Sequence, residues 1–440
     1  MRSSGPGSGG WGMSSDWPVL PLEQCLDALI DYRGKTPEKT EFGVPLVTAK
    51  VIKGGRIEKP TEFIATEAYE SWMRRGIPRA GDVVLTTEAP LGEVAQLGHE
   101  RVALAQRVVT LRGKAGLLDN AYLRYLLQTE EMQSQLAARA TGTTVLGIKQ
   151  SELRKVLVQL PPIDMQRSAA SLLASLDDRI ALLRETNATL ESIAQAMFKS
   201  WFIDFDPVRA KQRDLAPAGL DDATAALFPH SFEVSALGLA PNGWKVRALD
   251  EIATYLNGLA LQKFPPSDSS WLPVIKIAQL RKGDTVGADR AGRNLKPEYV
   301  IQNGDVLFSW SGSLEVEVWC GGEGALNQHL FKVTSKAFPK WFYLRWTRHH
   351  LSHFRQIAAS KATTMGHIQR THLSEAKVLV PPDALLSAMD TCFGPLLARS
   401  VENELQAQTL AALRDSLLPR LISGQLRMLE AAMQITDAIA

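Results

Sequence analysis

Cysteine, long apolar runs and net charge are all scarce in this chain of 440 residues. Its three cysteines, Cys25, Cys320 and Cys392, have neither disulfide nor metal-site spacing, so we expect a reducing cytoplasm. No apolar run reaches the roughly 18 residues that a membrane-spanning helix needs, so no membrane association is expected. The net charge is only +2, so charge must be judged segment by segment.

Signatures of catalysis are also scarce. Gly-Lys-Thr at residues 34–36 lacks the earlier glycine of a phosphate-binding loop, because Leu29 stands in that place. His349 and His353 have a spacing that could hold zinc on a helix, but no third ligand is apparent, so a solvated or DNA-facing basic helix is favoured. No Gly-rich methyl-donor motif occurs. The sequence therefore predicts no catalytic residue, metal ligand or cofactor site in this chain.

The sequence does contain an internal repeat that covers most of its length. Paired segments occur in the same order in both halves, and from Thr143 onward their offset is 220 residues. Such a series indicates an internal duplication. The clearest pairs are "GDVVLTT" from Gly81 with "GDVLFSW" from Gly304, "LAQRVVTLRGK" from Leu104 with "LNQHLFKVTSK" from Leu326, and "TTVLGIKQSELRKVLVQLPP" from Thr143 with "TTMGHIQRTHLSEAKVLVPP" from Thr363.

Each copy predicts a globular α+β part followed by a long helix. Short runs of strand-forming residues such as "DVVLTT" and "DVLFSW" are separated by Gly and Pro residues, which is typical of strands and turns. The predicted order is a flexible tail (1–16), a globular domain (17–160), a helical spacer (161–205), a connector (206–243), a second globular domain (244–380), a second helical spacer (381–427) and a tail (428–440).

The two helical spacers carry apolar residues at coiled-coil spacing. Sustained heptads predict that they pair with each other, antiparallel, with one globular domain at each end. Asn187 and Asn403 would fix the register of the pair at some cost in stability. The predicted seam comprises Leu176, Ile180, Leu183, Asn187, Leu190, Met197, Leu396, Leu410, Leu417 and Leu421. The predicted fold is α+β, with two globular domains, two long helices and pseudo-two-fold repetition.

Local charge favours a polyanionic partner. Residues 341–380 contain six Lys or Arg and one acid, Glu375, and such patches attract phosphate groups. Polar loops at equivalent places in the two copies are candidates for reading base edges. Candidate base readers are Thr143, Thr144, Lys149 and Gln150, and Thr363, Thr364, His367, Gln369 and Arg370. Candidate phosphate contacts are Lys50, Lys53, Arg107, Lys276, Arg281 and Lys282.

Two segments carry a resemblance to a known family. "LPPIDMQRSAASLLASLDDRIALLRETNATLESIAQAMFKSWFIDFDPVRAK" (160–211) and "LRDSLLPRLISGQL" (413–426) resemble the DNA-specificity subunit of type I restriction-modification enzymes. The likeness extends over 17–427. It implies that the globular parts are target-recognition domains, each reading one half of a bipartite asymmetric site in double-stranded DNA, and that the helices set the spacing.

The resemblance also implies partners and their cofactors. Two modification subunits would supply adenine-N6 methylation with S-adenosylmethionine. Two restriction subunits, where present, would add ATP- and Mg2+-dependent cleavage. The chain itself would be non-catalytic and bind no cofactor. The aromatic residues Phe198, Phe202 and Phe205 are candidates for docking the modification subunits, or else for packing on the chain's own globular domains.

Other functions stay open at the level of sequence. One is a specificity chain that serves a methyltransferase without a restriction partner. A second is a coiled-coil scaffold whose globular domains bind protein. A third is an independent methyltransferase or nuclease, against which the missing motifs argue.

Overall fold

The computed structural model describes residues 17–32, 36–266, 270–360 and 366–439. The predicted N-terminal tail and the candidate base readers Thr363 and Thr364 lie outside them. The chain divides into two compact units: unit 1 comprises residues 1–180 and 408–440, and unit 2 comprises residues 181–407. Each unit therefore contains one globular part and a stretch of both long helices, so the spacers are not compact bodies of their own.

The globular part of unit 1 is built on an antiparallel sheet of four strands. Its order is Leu26–Asp31, Val108–Gly113, Val83–Thr87 and Leu91–Gln96. Runs of β-branched residues favour these strands, and Val83–Thr87 is buried throughout. A second sheet places Val44–Val47 between Phe63–Ile64 and Ala103–Leu104, and the last pair runs parallel.

The globular part of unit 2 repeats this plan. Its four-stranded antiparallel sheet has the order Thr254–Asn257, Leu330–Thr334, Val306–Ser309 and Val316–Val318. In the second sheet, Trp271–Ile275 pairs in parallel with Gly324–Leu326, as Val44–Val47 does with Ala103–Leu104 in unit 1. The predicted duplication is therefore present strand by strand.

The remaining elements complete both units. In unit 1 they are the strands Val19–Pro21, Ile52–Lys53, Arg56–Ile57 and Leu157–Gln159 and the helices Leu22–Cys25, Tyr69–Trp72, Asn120–Leu126, Glu130–Ala138, Gln150–Leu153 and Met428–Ile439. In unit 2 they are the strands Phe232–Ser235, Gly238–Pro241, Lys245–Ala248, Arg290–Gly292, Val300–Ile301 and Lys377–Val380 and the helices Asp206–Gln212, Asp222–Leu227, Leu249–Ile252, Ile277–Lys282, Lys340–Ser360 and Arg370–Glu375. Short 3-10 turns lie at Ala49–Val51, Thr66–Ala68, Leu261–Lys263 and Pro297–Tyr299.

Two long helices match the predicted spacers. The central helix is Ile163–Phe198, with 36 residues, and the C-terminal helix is Asp383–Ile422, with 40 residues. Each begins at the residue directly after a Pro-Pro pair, where proline is tolerated because the first helical N–H groups have no partner. No helix among the described residues is both long enough and apolar enough to span a bilayer.

Within unit 2 the two long helices run antiparallel. Asn403 Nδ2 donates to Asn187 Oδ1 at 3.0 Å. Trp201, just after the central helix, makes an edge-to-face contact with Phe393, which comes before Asn403 in the C-terminal helix. Asn187 Nδ2 also donates to the Ser400 carbonyl at 3.0 Å. Of the predicted apolar seam residues, Leu190, Met197 and Leu396 are half-buried, and the rest are buried: Leu176, Ile180, Leu183, Leu410, Leu417 and Leu421.

Two segments have more structure than the sequence predicted. The expected tail 428–440 contains the helix Met428–Ile439, and Ala431 in its first turns is fully buried. The expected connector 206–243 contains two helices and a hairpin. Its residues Val208, Phe228 and Ala240 belong to the core of unit 2, so the connector is part of that core.

Candidate nucleic-acid interface

In unit 1, three polar segments meet at one end of the main sheet, where the central strand Val83–Thr87 ends and the central strand Val108–Gly113 begins. The Ile148 N–H donates to the Thr87 carbonyl at 3.0 Å, and the Thr87 N–H donates to the Arg107 carbonyl at 2.9 Å. The loop before Ile148 closes on itself, because Thr141 and Gly147 exchange two backbone hydrogen bonds of 2.9 and 3.0 Å. We call Thr87–Glu88, Arg107 and residues 141–149 the first edge.

In unit 2 the same backbone scheme recurs. The Ile368 N–H donates to the Trp310 carbonyl at 3.0 Å, and the Trp310 N–H donates to the His329 carbonyl at 3.3 Å. Ser311 and His367 form an isolated bridge beside them. We call Trp310–Ser311, Gln328–His329 and residues 366–370 the second edge. Arg107 and His329 occupy equivalent positions, in "LAQR" and "LNQH".

The parallel strand pairs bring a lysine toward each edge. Val47 is paired with Leu104 and Ile275 with Leu326, so the chain segments that follow these residues leave the same side of their sheet. Lys50 and Lys276 lie in these segments and are exposed, and Lys276 is also ion-paired with Asp289, a contact that a phosphate would have to replace. Such lysines suit phosphate contacts, which fix position without reading sequence.

The first edge is charged. Arg107 Nη2 lies 3.8 Å from Glu88 Oε1, and about half of each side chain is exposed. A solvated pair at this distance contributes little to stability. The loop residues Thr143 and Thr144 are exposed beside it, as is Lys149. Gln150 is the first residue of the helix Gln150–Leu153 and is half-buried.

The second edge contains a network of hydrogen bonds between side chains. Trp310 Nε1 donates to Asn257 Oδ1 at 2.9 Å and to the Gln328 carbonyl at 3.2 Å. Ser311 Oγ lies 3.0 Å from His329 Nδ1, and Gln328 Nε2 lies 3.3 Å from His329 Nε2. These contacts give amide, hydroxyl and imidazole groups a defined arrangement, in which Ser311 is buried and Gln328 and His329 are half-buried.

The predicted readers of the second domain divide between exposed and anchored groups. His367 and Gln369 are exposed, and His367 lies edge-on to Trp310. Arg370 Nη2 donates to the Tyr255 carbonyl at 3.3 Å, and its guanidinium lies over Phe331. Arg370 is therefore partly engaged in contacts within its own domain, although its side chain is exposed.

Not every predicted contact residue lies at an edge. Lys53 pairs with Glu58 at 3.1 Å in a short hairpin. Arg281 and Lys282 are exposed on the last turn of Ile277–Lys282. Sequence reasoning also missed six polar residues that the structure brings to the two edges. Comparing the two copies would have drawn attention to three of them, because Trp310, Ser311 and His329 align with unlike residues of the first copy. The six are Glu88, Asn257, Trp310, Ser311, Gln328 and His329.

The basic stretch 341–380 is less available than its composition suggested. Arg345 Nη1 and Nη2 donate to Glu191 at 2.6 and 2.9 Å, and Arg348 reaches Glu191 and Glu317 at 2.9 Å each. Arg355 pairs with Glu315 at 2.9 Å. These arginines are used inside unit 2, so the excess of positive charge in the sequence overstates the attraction of this helix for phosphate.

The aromatic segment of the central helix lies in the core of unit 2. Phe198, Phe202 and Phe205 are 6%, 1% and 9% exposed. Phe202 packs against Trp244 and Trp346, as part of a wider cluster of aromatic rings. The alternative in which these residues pack on the chain's own globular domain is what the structure shows. They present no free surface to a modification subunit.

The central helix continues into a π-helical turn that includes Phe202. The Asp204 N–H donates to the Lys199 carbonyl at 2.9 Å, five residues earlier, and the turn covers Lys199–Ile203. A π turn adds a residue and rotates the side chains that follow it. Phe205 then adopts a left-handed backbone with φ 56° and ends the helical run.

A duplicated α+β domain with a polar edge at the same place in each copy defines a two-domain protein with an internal repeat. Residues 32–192 and 241–384 each match the family described as the type I restriction modification DNA specificity domain. These two matches cover more than half of the chain, so the chain belongs to this family.

Relatives and solved structures agree with this assignment. The chain is 25% identical over 429 residues to the type I restriction enzyme MjaIX specificity subunit of Methanocaldococcus jannaschii, covering 94% of both chains. It is 22% identical to the HindI specificity subunit of Haemophilus influenzae, covering 74% of this chain and 82% of that one. A crystal structure of a type I S subunit from M. genitalium has the same fold, with a TM-score of 0.55 at 15% identity, covering 92% of this chain and 96% of that one.

Proposed function

We propose that this chain is the DNA-specificity subunit of a type I restriction-modification complex. Each edge reads one half of a bipartite site in double-stranded DNA. The observation that carries the proposal is the pair of edges themselves: the same backbone hydrogen bonds hold different side chains in the two units. Two related readers with unlike chemistry suit a site whose halves are unlike, which makes it asymmetric.

The chemistry of the edges supports duplex DNA as the ligand. Exposed Thr, Gln, His and Arg side chains are groups that hydrogen-bond to base edges in the major groove. Lys50 and Lys276 add phosphate contacts beside them. The relatives at 25% and 22% identity are type I specificity subunits by name, and the family is defined by DNA specificity.

The long helices set the spacing in this proposal. A helix of 36 residues extends about 54 Å at about 1.5 Å per residue. Half-sites one duplex turn apart are separated by about 34–36 Å. The central helix is thus long enough to hold two readers on adjacent turns of one duplex.

Catalysis belongs to partner subunits in this proposal. Two modification subunits bring S-adenosylmethionine and methylate adenine at N6, and restriction subunits, where present, bring ATP- and Mg2+-dependent cleavage. This chain contributes the choice of sequence. Because Phe198, Phe202 and Phe205 are buried, the proposal does not assign subunit docking to them.

Methylome sequencing tests this function. A host that expresses the chain with its modification subunit is compared with the same host after deletion of the chain. We expect an N6-methyladenine motif with two unlike halves that disappears on deletion. If no motif depends on the chain, the specificity function is wrong. In that case, failure of the purified chain to bind duplex DNA even at low salt, where phosphate contacts are strongest, would favour a protein-binding scaffold.

A further inference from the structure

We infer that Arg107 of the first edge, together with Glu88, reads a single G·C base pair in the half-site of unit 1. The inference rests on the proposed function and names one base pair of its target. It reassigns Arg107 from a phosphate contact, as its sequence suggested, to a residue that determines specificity.

The backbone of Arg107 is fixed, while its side chain is free to reach outward. Its carbonyl accepts from the Thr87 N–H at 2.9 Å and from Thr87 Oγ1 at 3.3 Å. Half of the Arg107 side chain is nevertheless exposed. A reader needs this combination, because base recognition requires a fixed point of attachment and an accessible donor group.

The guanidinium of Arg107 is held more loosely than those of Arg112 and Arg124, which also lie in unit 1. Its distance of 3.8 Å to Glu88 exceeds that of a good hydrogen bond. By contrast, Arg112 donates twice to Asp82, at 2.7 and 2.8 Å, and Arg124 hydrogen-bonds to Asp177. The fork of donors on Arg107 therefore remains free for a planar acceptor pair.

The neighbouring carboxylate favours a base over a phosphate. A phosphate bound to Arg107 would stand close to the Glu88 carboxylate, and two anions at that range repel each other. A guanine edge is uncharged and offers the O6 and N7 acceptors that suit an arginine fork. The cytosine of the same pair offers the N4 amino donor that a glutamate accepts. Arg107 and Glu88 together therefore match one G·C pair.

The second edge supplies a natural contrast. The position of Arg107 is taken by His329, and that of Glu88 by Ser311, with His329 Nδ1 and Ser311 Oγ 3.0 Å apart. No such charged pair stands at this place in unit 2. The same backbone frame thus presents different recognition chemistry, and the G·C preference is confined to one half of the site.

The experiment compares methylation motifs and binding for Arg107→Ala, Arg107→Lys and the control Arg101→Ala. Each variant is co-expressed with the modification subunit and its methylome is sequenced. Purified complex is then titrated with the wild-type duplex and with duplexes carrying 7-deazaguanine, which lacks the N7 acceptor, at each guanine of that half. Arg101 is a matched control, because its ion pair with Glu70 is exposed, as is that of Arg107 with Glu88, and because it lies at the opposite end of the strand Ala103–Leu104 from Arg107.

We expect Arg107→Ala to relax one G·C position of one half, and Arg107→Lys to relax it partly, because lysine lacks the fork. A duplex with 7-deazaguanine at that position should bind the wild-type complex about 5- to 150-fold more weakly than the unmodified duplex does. The Arg107→Ala complex should bind the two duplexes equally. Arg101→Ala keeps both the motif and the affinity. An unchanged motif with uniformly weaker binding in Arg107→Ala overturns the inference and makes Arg107 a phosphate contact. A motif that does not depend on the chain at all refutes the proposed function instead.

Discussion

Arg345 donates two hydrogen bonds to the carboxylate of Glu191, at 2.6 and 2.9 Å. Arg124 hydrogen-bonds to Asp177 in unit 1, and the two arginines occupy equivalent places, in "YLRYL" and "YLRWT". Both acids belong to the central helix, so the pairs do not follow the 220-residue repeat. In each unit, the globular part is held to the central helix by the same arginine of the duplicated domain.

Glu191→Gln should destabilise unit 2. The substitution leaves Arg345, whose side chain is only 9% exposed, without its counter-charge. Because Glu191 itself is partly exposed, we expect a loss of about 1–2 kcal/mol in the free energy of unfolding, measured by urea denaturation. Glu402→Gln is the matched control, since its pair with Arg399 is exposed, and it should change stability by less than about 0.5 kcal/mol. Equal effects of the two substitutions would contradict the role of Glu191.

Asp177 should make the stability of unit 1 sensitive to acid. Burial opposes ionisation of this carboxyl, but hydrogen bonds from Arg414 and Tyr125 and the charge of Arg124 outweigh it, so the pKa of Asp177 lies below its ordinary value. A lowered folded-state pKa adds stability above the unfolded pKa of about 3.9, and this is lost as pH falls through the folded value.

Asp177→Asn tests this linkage. The stability gap between wild type and the variant should be largest near neutral pH and should shrink as the pH falls below about 4. Thermal unfolding followed by circular dichroism at several pH values measures the gap. A gap that stays constant from pH 7 to pH 3 would show that the carboxylate charge contributes nothing.

Phe202→Ala should destabilise the isolated chain. Phe202 is 1% exposed and packs among several aromatic rings, so its removal leaves a cavity that costs about 3–5 kcal/mol. The loss should appear in unfolding of the chain without any partner subunit, and Phe202→Leu should lose less. Normal stability of the lone chain, combined with failure to join the modification subunit, would restore the docking role that the sequence suggested.

Lys50→Ala and Lys276→Ala should weaken binding to all duplexes alike. Each removes one proposed phosphate contact, so the slope of log K against log salt should fall by about one for each substitution. Fluorescence anisotropy between low and moderate salt measures the slope for cognate and random duplexes. A change confined to the cognate duplex would instead assign these lysines to base reading.

The duplication made much of this fold predictable from sequence. The order and offset of the repeated segments predicted where both globular parts lie, and the heptad spacing predicted both long helices. The polar seam positions Asn187 and Asn403 were expected to matter for register, and they hydrogen-bond to each other in unit 2. These features follow from local spacing, which a sequence displays directly.

Features that depend on pairing between distant segments were not predictable. The contact between Arg345 and Glu191 joins residues 154 positions apart, and Glu88 meets Arg107 only because their strands are neighbours in the sheet. Local spacing also did not reveal the π turn Lys199–Ile203, which changes the direction of the side chains after it. Composition likewise could not show that acids of the same unit pair with Arg348 and Arg355.

The central claim is that each unit reads one half of the target independently. The most direct test replaces residues 244–380 with the corresponding segment of a relative that has a different motif, keeping both long helices. Methylome sequencing of the host expressing the chimera should show one half of the motif changed and the other half, with its spacing, retained. Change in both halves or in neither would contradict the account.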